Sequence, residues 1–339
     1  MASIKLRGEY QWQVQIRRKG QKLSKTFYYK NEAEVWARKV ESEIDRGIFI
    51  NTQEAERMTL GELIEQYEKD VLPTLKAKSQ ERSRLKIINN ELGKQIIGAI
   101  TTNEIIKYRN TRLKTIADNS VNREVTTIKR LLSFANDDCK ITLPNGIPLV
   151  KKIKVDDARE RRVSDSEINS ICSNTESPEL EYIVKLALYT AMRRGEISNL
   201  KRENIDLNVP SAVVKDTKNS KNKTVPLMPE AATLLKSLPA RLDGFVFGLK
   251  GRSITQAFER ARDRAHTIYI ADCIVGNIIP NLSFLTNLRF HDLRHEATSR
   301  LAQRLPNVIE LSRVTGHQDL KMLDRYYQIS TADLAKKLG

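Results

Sequence analysis

The sequence predicts a multidomain, mainly α-helical protein: a small three-stranded β-sheet with a helix at the N-terminus, a helical middle domain, and a mostly helical C-terminal domain holding a small antiparallel sheet. Three observations carry this. The 339 residues exceed what a single core usually serves. Strand-like stretches are short: strict apolar–polar alternation at residues 10–17, and two brief runs, Ala212 to Lys215 and Thr224 to Met228. Elsewhere apolar residues recur at helical spacing, opened twice by a capping box.

The N-terminal domain is read as residues 1–50. Ile4 and Leu6 open it, and Tyr10 to Arg17 alternate as a half-buried strand. Lys19-Gly20 gives a turn into a second run, Leu23 to Tyr29. Asn31 is placed to cap a helix whose Ala33, Trp36, Val40 and Ile44 share a face, with Gly47 closing it. The middle domain is read as 58–157. Thr59 and Glu62 form its capping box, Pro73 breaks the helical pattern, and a helix from near Ser120 buries Val125, Ile128 and Leu132. Residues 137–157, with Pro144, Asn145-Gly146 and Pro148, read as an extended linker. Ser164 and Glu167 make the second capping box and open the last domain, 160–339.

Charge points to a polyanion. Lys and Arg number 58 against 42 Asp and Glu, a formal net charge of +16. The excess is shared: +4 over residues 1–57, +5 over 58–160 and +7 over 161–339. A basic tail would concentrate it, whereas an excess in every segment suits a protein wrapped around nucleic acid. On the strand Tyr10 to Arg17, Gln11, Gln13, Gln15 and Arg17 are side chains able to pair bidentately with base edges, or to serve as ordinary solvent-facing residues. Arg18 and Lys19 beside them, and Lys151, Lys152 and Lys154 in the linker, are candidate DNA contacts.

The longest apolar stretch, Ile268 to Leu285, carries Asp272, Asn277, Pro280 and Asn281, and the N-terminus lacks an apolar leader. No membrane partner is therefore expected, and a cytoplasmic location is. Cys139, Cys172 and Cys273 lie too far apart for a CxxC site.

The C-terminal domain concentrates chemistry. His291, Arg294 and His295 are i, i+3 and i+4 on one helix, so they share a face. Gly316-His317 follows, then Tyr326 nine residues later. Upstream, the apolar helix Tyr182 to Tyr189 ends at Arg193-Arg194-Gly195-Glu196, and adjacent arginines there require an anion or Glu196 to meet them. Between two strands, the hairpin Asp216 to Lys223 carries Lys218, Lys221 and Lys223. His291 and His295 also have a zinc spacing, but no carboxylate or cysteine is placed to complete a shell and Arg294 lies between them, so no metal or other cofactor is expected.

In this order and spacing, Arg193, a hairpin lysine, His291-x-x-Arg294, Gly316-His317 and Tyr326 resemble the tyrosine recombinases, the phage-integrase family. The resemblance spans the chain. It implies an arm-type DNA-binding domain at 1–50, a helical, SAM-like core-binding domain at 58–157 and a catalytic domain at 160–339. It implies a metal- and ATP-independent site-specific DNA recombinase that integrates or excises a mobile element. Arg193 and Arg294 would clamp the phosphate, His317 would add a hydrogen bond, and His291 would act as acid/base near the nucleophile. Tyr326 would form a 3′-phosphotyrosine, and Lys218 would be the general acid, with Lys221 and Lys223 as competitors. Glu196 and His295 are expected to support the site. The implied partners are double-stranded DNA at core and arm sites and a homotetramer on DNA, with an excision factor and a host DNA-bending protein left open. A type IB topoisomerase and a catalytically inactive regulator are the competing readings; the N-terminal sheet disfavours the first and the complete residue set the second.

Ala191 stands where the family usually has Gly, and Thr315 where Leu is usual. Residues 265–288 are longer and more apolar than the usual approach to the His-x-x-Arg motif, suiting either a packed insertion or a subunit surface. Ala332, Leu334, Ala335 and Leu338 suggest a short amphipathic tail helix that docks on a neighbouring protomer.

Overall fold

A computed structural model describes residues 2–155, 159, 161–215 and 222–327. The chain divides into two compact units, residues 1–157 and 158–339.

In the first unit, strands β1 (Ser3–Leu6), β2 (Trp12–Arg18) and β3 (Gln21–Phe27) form an antiparallel sheet in that order. Lys19 and Gly20 have φ of 45° and 81°, so both centres of the β2–β3 turn are left-handed. That backbone matches strand twist and sets the register, Arg18 opposite Gln21. Helix α1 (Lys30–Asp45) covers one face, burying Ala33, Ala37, Val40 and Ile44 against Val14, Ile16 and Leu23. Two local expectations shift. Gln11 lies in a turn rather than on the strand, because its carbonyl accepts from Arg7 N–H at 2.9 Å. Asn31 lies inside α1, where its carboxamide oxygen accepts from Glu32 N–H at 2.8 Å, instead of capping it.

The helical part contains α2 (Leu60–Asp70), α3 (Lys78–Leu92), α4 (Thr102–Arg112) and α5 (Asp118–Asp137). Thr59 and Glu62 form the expected capping box, and Pro73 sits in a single 3-10 turn after α2. Leu60, Leu63, Tyr67, Leu85, Ile88 and Ile128 make the core. Two carboxylates are buried within it. Glu124 accepts from Arg112 at 2.9 and 3.0 Å and from the Tyr108 hydroxyl at 2.8 Å. Glu81 accepts from Arg130 at 2.8 Å and pairs with Arg84.

The stretch expected to be an extended linker is anchored instead. Ile141, Leu143 and Val150 join this core, and the Asn122 carboxamide holds both N–H and C=O of Ile153 at 2.9 Å. Asp156 and Asp157 lie outside the described residues.

In the second unit, α6 (Asp165–Ser173), α7 (Leu180–Thr190) and α8 (Arg194–Ser198) precede a small antiparallel sheet of β4 (Ile205–Asp206), β5 (Ser211–Val214) and β6 (Lys223–Pro226). Then come α9 (Pro229–Ser237), α10 (Gly251–Val275), α11 (Phe290–Arg304) and α12 (Val308–Thr315). Helix α7 is central, with Leu180, Ile183, Val184, Leu186 and Ala187 buried. The expected insertion divides in two: Ile274, Val275, Ile278, Ile279 and Leu282 are exposed, while Leu285 and Leu288 return to the core. No described helix is long and apolar enough to cross a membrane. The hairpin tip 216–221, with Lys218 and Lys221, and the tail 328–339 lie outside the described residues.

Candidate active site

The candidate site is built around the C-terminal ends of two helices, α7 and α12. Helix α7 ends at Ala191 with φ of 51°, a left-handed cap that glycine adopts more cheaply. That turn delivers Arg193 to the start of α8, where its N–H and guanidinium each donate to Glu196 at 2.8 Å. Burial raises the Glu196 carboxyl, but Lys223 and Arg193 outweigh it and hold the group below the usual range. Arg194 instead donates to the Thr255 hydroxyl.

Arg294, on α11, is buried at 5% exposure. Its guanidinium donates to the carbonyl of Ala191 and, at 2.8 Å, to that of Thr315, the last residue of α12. These are carbonyls that a helix end leaves without an intrahelical donor, so they fix the fork in place. Burial and then the Arg193 charge push its pKa down to about 10, which leaves it cationic at neutral pH.

Lys223 enters from β6. Gly316, with φ of +71°, ends α12 and leaves room for it: a Cβ there would lie 2.8 to 2.9 Å from Lys223 Cδ, Cε and Nζ. The ammonium is buried and has no hydrogen-bond partner among the described residues. Burial pushes its pKa down to about 8; Glu196 raises it, while Arg294 and Arg193 lower it further.

His317 completes this side, its Nε2 at 3.5 Å from the Arg294 guanidinium. Burial, then Arg294, Arg193 and Lys223, push its pKa down to about 4, so the ring is neutral at neutral pH. Its Nδ1 lies 2.6 Å from Thr315 Oγ1, which is also 2.8 Å from the Leu311 carbonyl. The hydroxyl has one hydrogen for two acceptors, so it governs which ring nitrogen carries the proton. The leucine usual in the family could not do this.

Tyr326 lies on a short 3-10 turn, Asp324–Tyr326, with its phenol 2.7 Å from His295 Nδ1. Burial raises the phenol's pKa against the charges of Arg325, Arg294 and Arg162. The adjacent Tyr327 is committed elsewhere, donating to the Leu305 carbonyl at 2.6 Å. His291 stands edge-on to His295 with ring centres 5.0 Å apart, and the surrounding protein and then Arg294 lower its pKa.

An adjoining face of α11 is pinned by buried acids, an arrangement that sequence reading missed. Asp292 accepts from Arg159 at 2.9 and 2.7 Å, and Glu296 from Arg162 at 2.7 and 3.2 Å. The partners are more than 130 residues apart, so no local signal marks them.

Arg193, Lys223, Arg294, His317, His295 and Tyr326 thus converge, with His291 at the edge. The candidate DNA contacts fare differently. Gln13 donates to Ser24 Oγ at 3.1 Å and Gln15 to Gln13 at 3.4 Å, on the face away from Val14 and Ile16. Arg17, Lys151, Lys152 and Lys154 are exposed. Arg18 pairs with Asp45 at 2.6 Å, and Lys19 donates to the Asp45 carbonyl at 2.9 Å, so these two brace α1.

The sequence pattern of the phage integrase family matches residues 161–333, and that of the phage integrase N-terminal domain matches residues 56–154. This chain belongs to the phage integrase family. It is a tyrosine-type, site-specific DNA recombinase. A shufflon-specific DNA recombinase of Escherichia coli is 32% identical over 83% of this chain and 72% of its own. A putative integrase/recombinase of Haemophilus influenzae is 29% identical over 96% and 87%. Among solved structures, a lambda integrase tetramer bound to a Holliday junction has the same fold, with TM-score 0.63 and 19% identity over 98% of each chain. The Tn1549 transposon integrase with transposon right end DNA gives 0.62 at 16% identity, over 83% of this chain and 98% of that one. The N-terminal family pattern begins at residue 56, leaving the β-sheet unmatched.

Proposed function

We propose that this recombinase integrates and excises a mobile genetic element, with Arg193, Arg294 and His317 holding the scissile phosphate and Tyr326 attacking it. The observation that carries this reading is the convergence of two guanidiniums, a buried ammonium and a neutral imidazole beside a half-buried phenol. A phosphodiester resists cleavage until donors meet the charge that grows on its oxygens. Attack by Tyr326 Oη forms the phosphotyrosine at the DNA 3′ end and releases the 5′ oxygen. The phosphotyrosine keeps the bond energy, so a second 5′-hydroxyl can rejoin the strand without ATP.

The departing oxygen takes its proton from the β5–β6 hairpin. Family similarity points to Lys218. Lys223 is the hairpin lysine described within the site, and a pKa near 8 suits a donor working near neutral pH. With Lys223 as the acid, cleavage declines as pH rises through about 8, and Lys223→Ala loses that limb. A sulfur-bridged 5′ leaving group, which needs no proton, then restores whichever of Lys218→Ala and Lys223→Ala removed the donor. By the same similarity His291 serves as acid/base, and the enzyme works in the cytoplasm as a homotetramer on core and arm sites, with an arm-binding sheet at 1–50 and a tail that docks on a neighbouring protomer.

Covalent capture tests the reading. Wild type and Tyr326→Phe are incubated with nicked genomic fragments in chelator, denatured, and the protein-bound DNA is sequenced. Adducts at a few defined sites, absent from Tyr326→Phe and kept by Tyr327→Phe, are expected. Scattered adducts would indicate a relaxing topoisomerase, and a swap of the two tyrosine phenotypes would overturn the choice of nucleophile.

A further inference from the structure

We infer that His295, not only a support for the site, is the base that takes the phenolic proton from Tyr326. The inference rests on the reading of Tyr326 as nucleophile. Its starting point is the contact between His295 Nδ1 and the Tyr326 oxygen at 2.7 Å. The two residues are 31 positions apart, on α11 and on the 3-10 turn that follows α12, so the fold rather than local chain geometry brings them together.

Three further features suit His295 to this task. The helix holds it: Arg294, one residue earlier, is bonded to two carbonyls, and Glu296, one residue later, is clamped by Arg162 and Arg300. The ring is flanked by positive charge from Arg294 and Arg325 and packed against His291, with Asp292 as the neighbouring acid. Arg162 adds its charge on the phenol's side, and His317 is close enough to His295 to feel its charge. Partial burial first, then His291 and the two arginines, lower the pKa of His295 below the ordinary histidine value, so the imidazole is neutral at neutral pH and a lone pair is available on Nδ1. The phenol is in turn kept protonated by burial, so it has a proton to give.

The step balances within the site. Tyr326 Oη bonds to phosphorus as its proton passes to His295 Nδ1, and the phosphorus–O5′ bond breaks with that oxygen taking a proton from the hairpin lysine. Rejoining reverses both transfers: the incoming 5′-hydroxyl gives its proton to the lysine, and the imidazolium of His295 returns one to the departing phenolate. One base and one acid on opposite sides of the phosphorus exchange roles between cutting and joining. The acid/base role that family similarity gives to His291 would then fall to His295, leaving His291 to bind phosphate.

The test uses the full-length protein and nicked duplexes carrying the site recovered by covalent capture. Wild-type adduct formation on that duplex must be present first, and its absence would count against the nucleophile reading rather than against His295. His295→Gln is expected to bind the duplex as wild type does, with an unchanged circular dichroism spectrum, yet form adduct about 100-fold more slowly. Wild-type rate rises with pH as His295 loses its proton, below the ordinary histidine value, and this acidic inflection should vanish in His295→Gln and persist in His291→Gln. Added imidazole should accelerate His295→Ala, whereas a sulfur-bridged leaving group should rescue neither His295 variant. Nitrogen-15 histidine spectra of the free protein should show His295 with its proton on Nε2, and Tyr326→Phe should shift the Nδ1 signal.

Cleavage by His295→Gln within about threefold of wild type would overturn the inference, since a base contributes at least tens-fold. So would an acidic inflection that follows His291, rescue of His295→Gln by the sulfur leaving group, or a proton found on Nδ1. A slow variant with an unchanged pH profile and no response to imidazole would make His295 a packing residue and overturn it equally.

Discussion

The candidate active site and the N-terminal sheet both carry basic side chains, but the fold treats them in opposite ways. Arg294 is buried and its fork is fixed by two helix-end carbonyls. Arg17, on β2, is exposed, and Arg18 leans on Asp45 with 36% of its side chain open to solvent. A reaction needs its donors aimed before the charge develops, so the site accepts the cost of burying them. A sheet that reads bases can leave its side chains loose until DNA arrives, because the bound geometry is set by the groove.

The largest effect that would sharpen this contrast is at Arg294. Arg294→Ala should lower adduct formation by about 1000-fold through loss of a phosphate donor. It should also cost about 2–4 kcal/mol of stability, because the carbonyls of Ala191 and Thr315 lose their donor. Adduct kinetics and denaturant titration measure the two; stability unchanged from wild type would show that the buried fork is not anchored as described.

Gly316→Ala comes next. A side chain there is strained at φ of +71° and meets Lys223, so about 1–2 kcal/mol of stability should be lost. Displacing the ammonium should slow cleavage by about 10- to 100-fold with DNA affinity intact.

Acid should separate the regions further. Burial raises the carboxyls of Glu167 and Glu296, but their arginine partners and backbone N–H groups outweigh it, so both lie below the ordinary 4.5. The stability they contribute is therefore complete above that value and is lost as pH falls through their lower folded values. Thermal melts should decline in this range, and Glu296→Gln should flatten the decline while costing about 1–3 kcal/mol at neutral pH.

The smallest effects belong to the sheet. Gln15→Ala and Arg17→Ala should each change stability by no more than about 0.5 kcal/mol. If the sheet reads arm sites, Gln13→Ala with Gln15→Ala should weaken only the specific site, by about 1–3 kcal/mol per base read, with nonspecific DNA binding unchanged in a filter or polarisation assay.

What the sequence made legible follows from distance along the chain. The capping boxes at Thr59 and Ser164 span three residues each, and His291, Arg294 and His295 share a face by helical spacing alone. The overall class, helical with two small sheets, follows from the same local periods. Strand β4 was missed because two residues cannot show alternation. The hairpin lysines are equivalent as letters; the pairing of Val214 with Lys223 and the space left by Gly316 distinguish one of them. Residues 141–153 look like a linker by their prolines and glycine, yet their few apolar side chains suffice to bind them to α5. At Ala191 the letter alone shows only a departure from the family's glycine, and the backbone angle of 51° shows why glycine is the easier choice there.

Arg159 stands at the start of the catalytic unit and holds two things at once. Its side chain grips Asp292 on the helix that carries His291, Arg294 and His295, while its own carbonyl accepts at 3.2 Å from Arg325, the neighbour of Tyr326. The residue is a mechanical yoke. Tension on the chain at this point is divided between the helix of Arg294 and the turn of Tyr326, and if these two groups act on one phosphate, a shift of about 1 Å in either would be enough to misalign them.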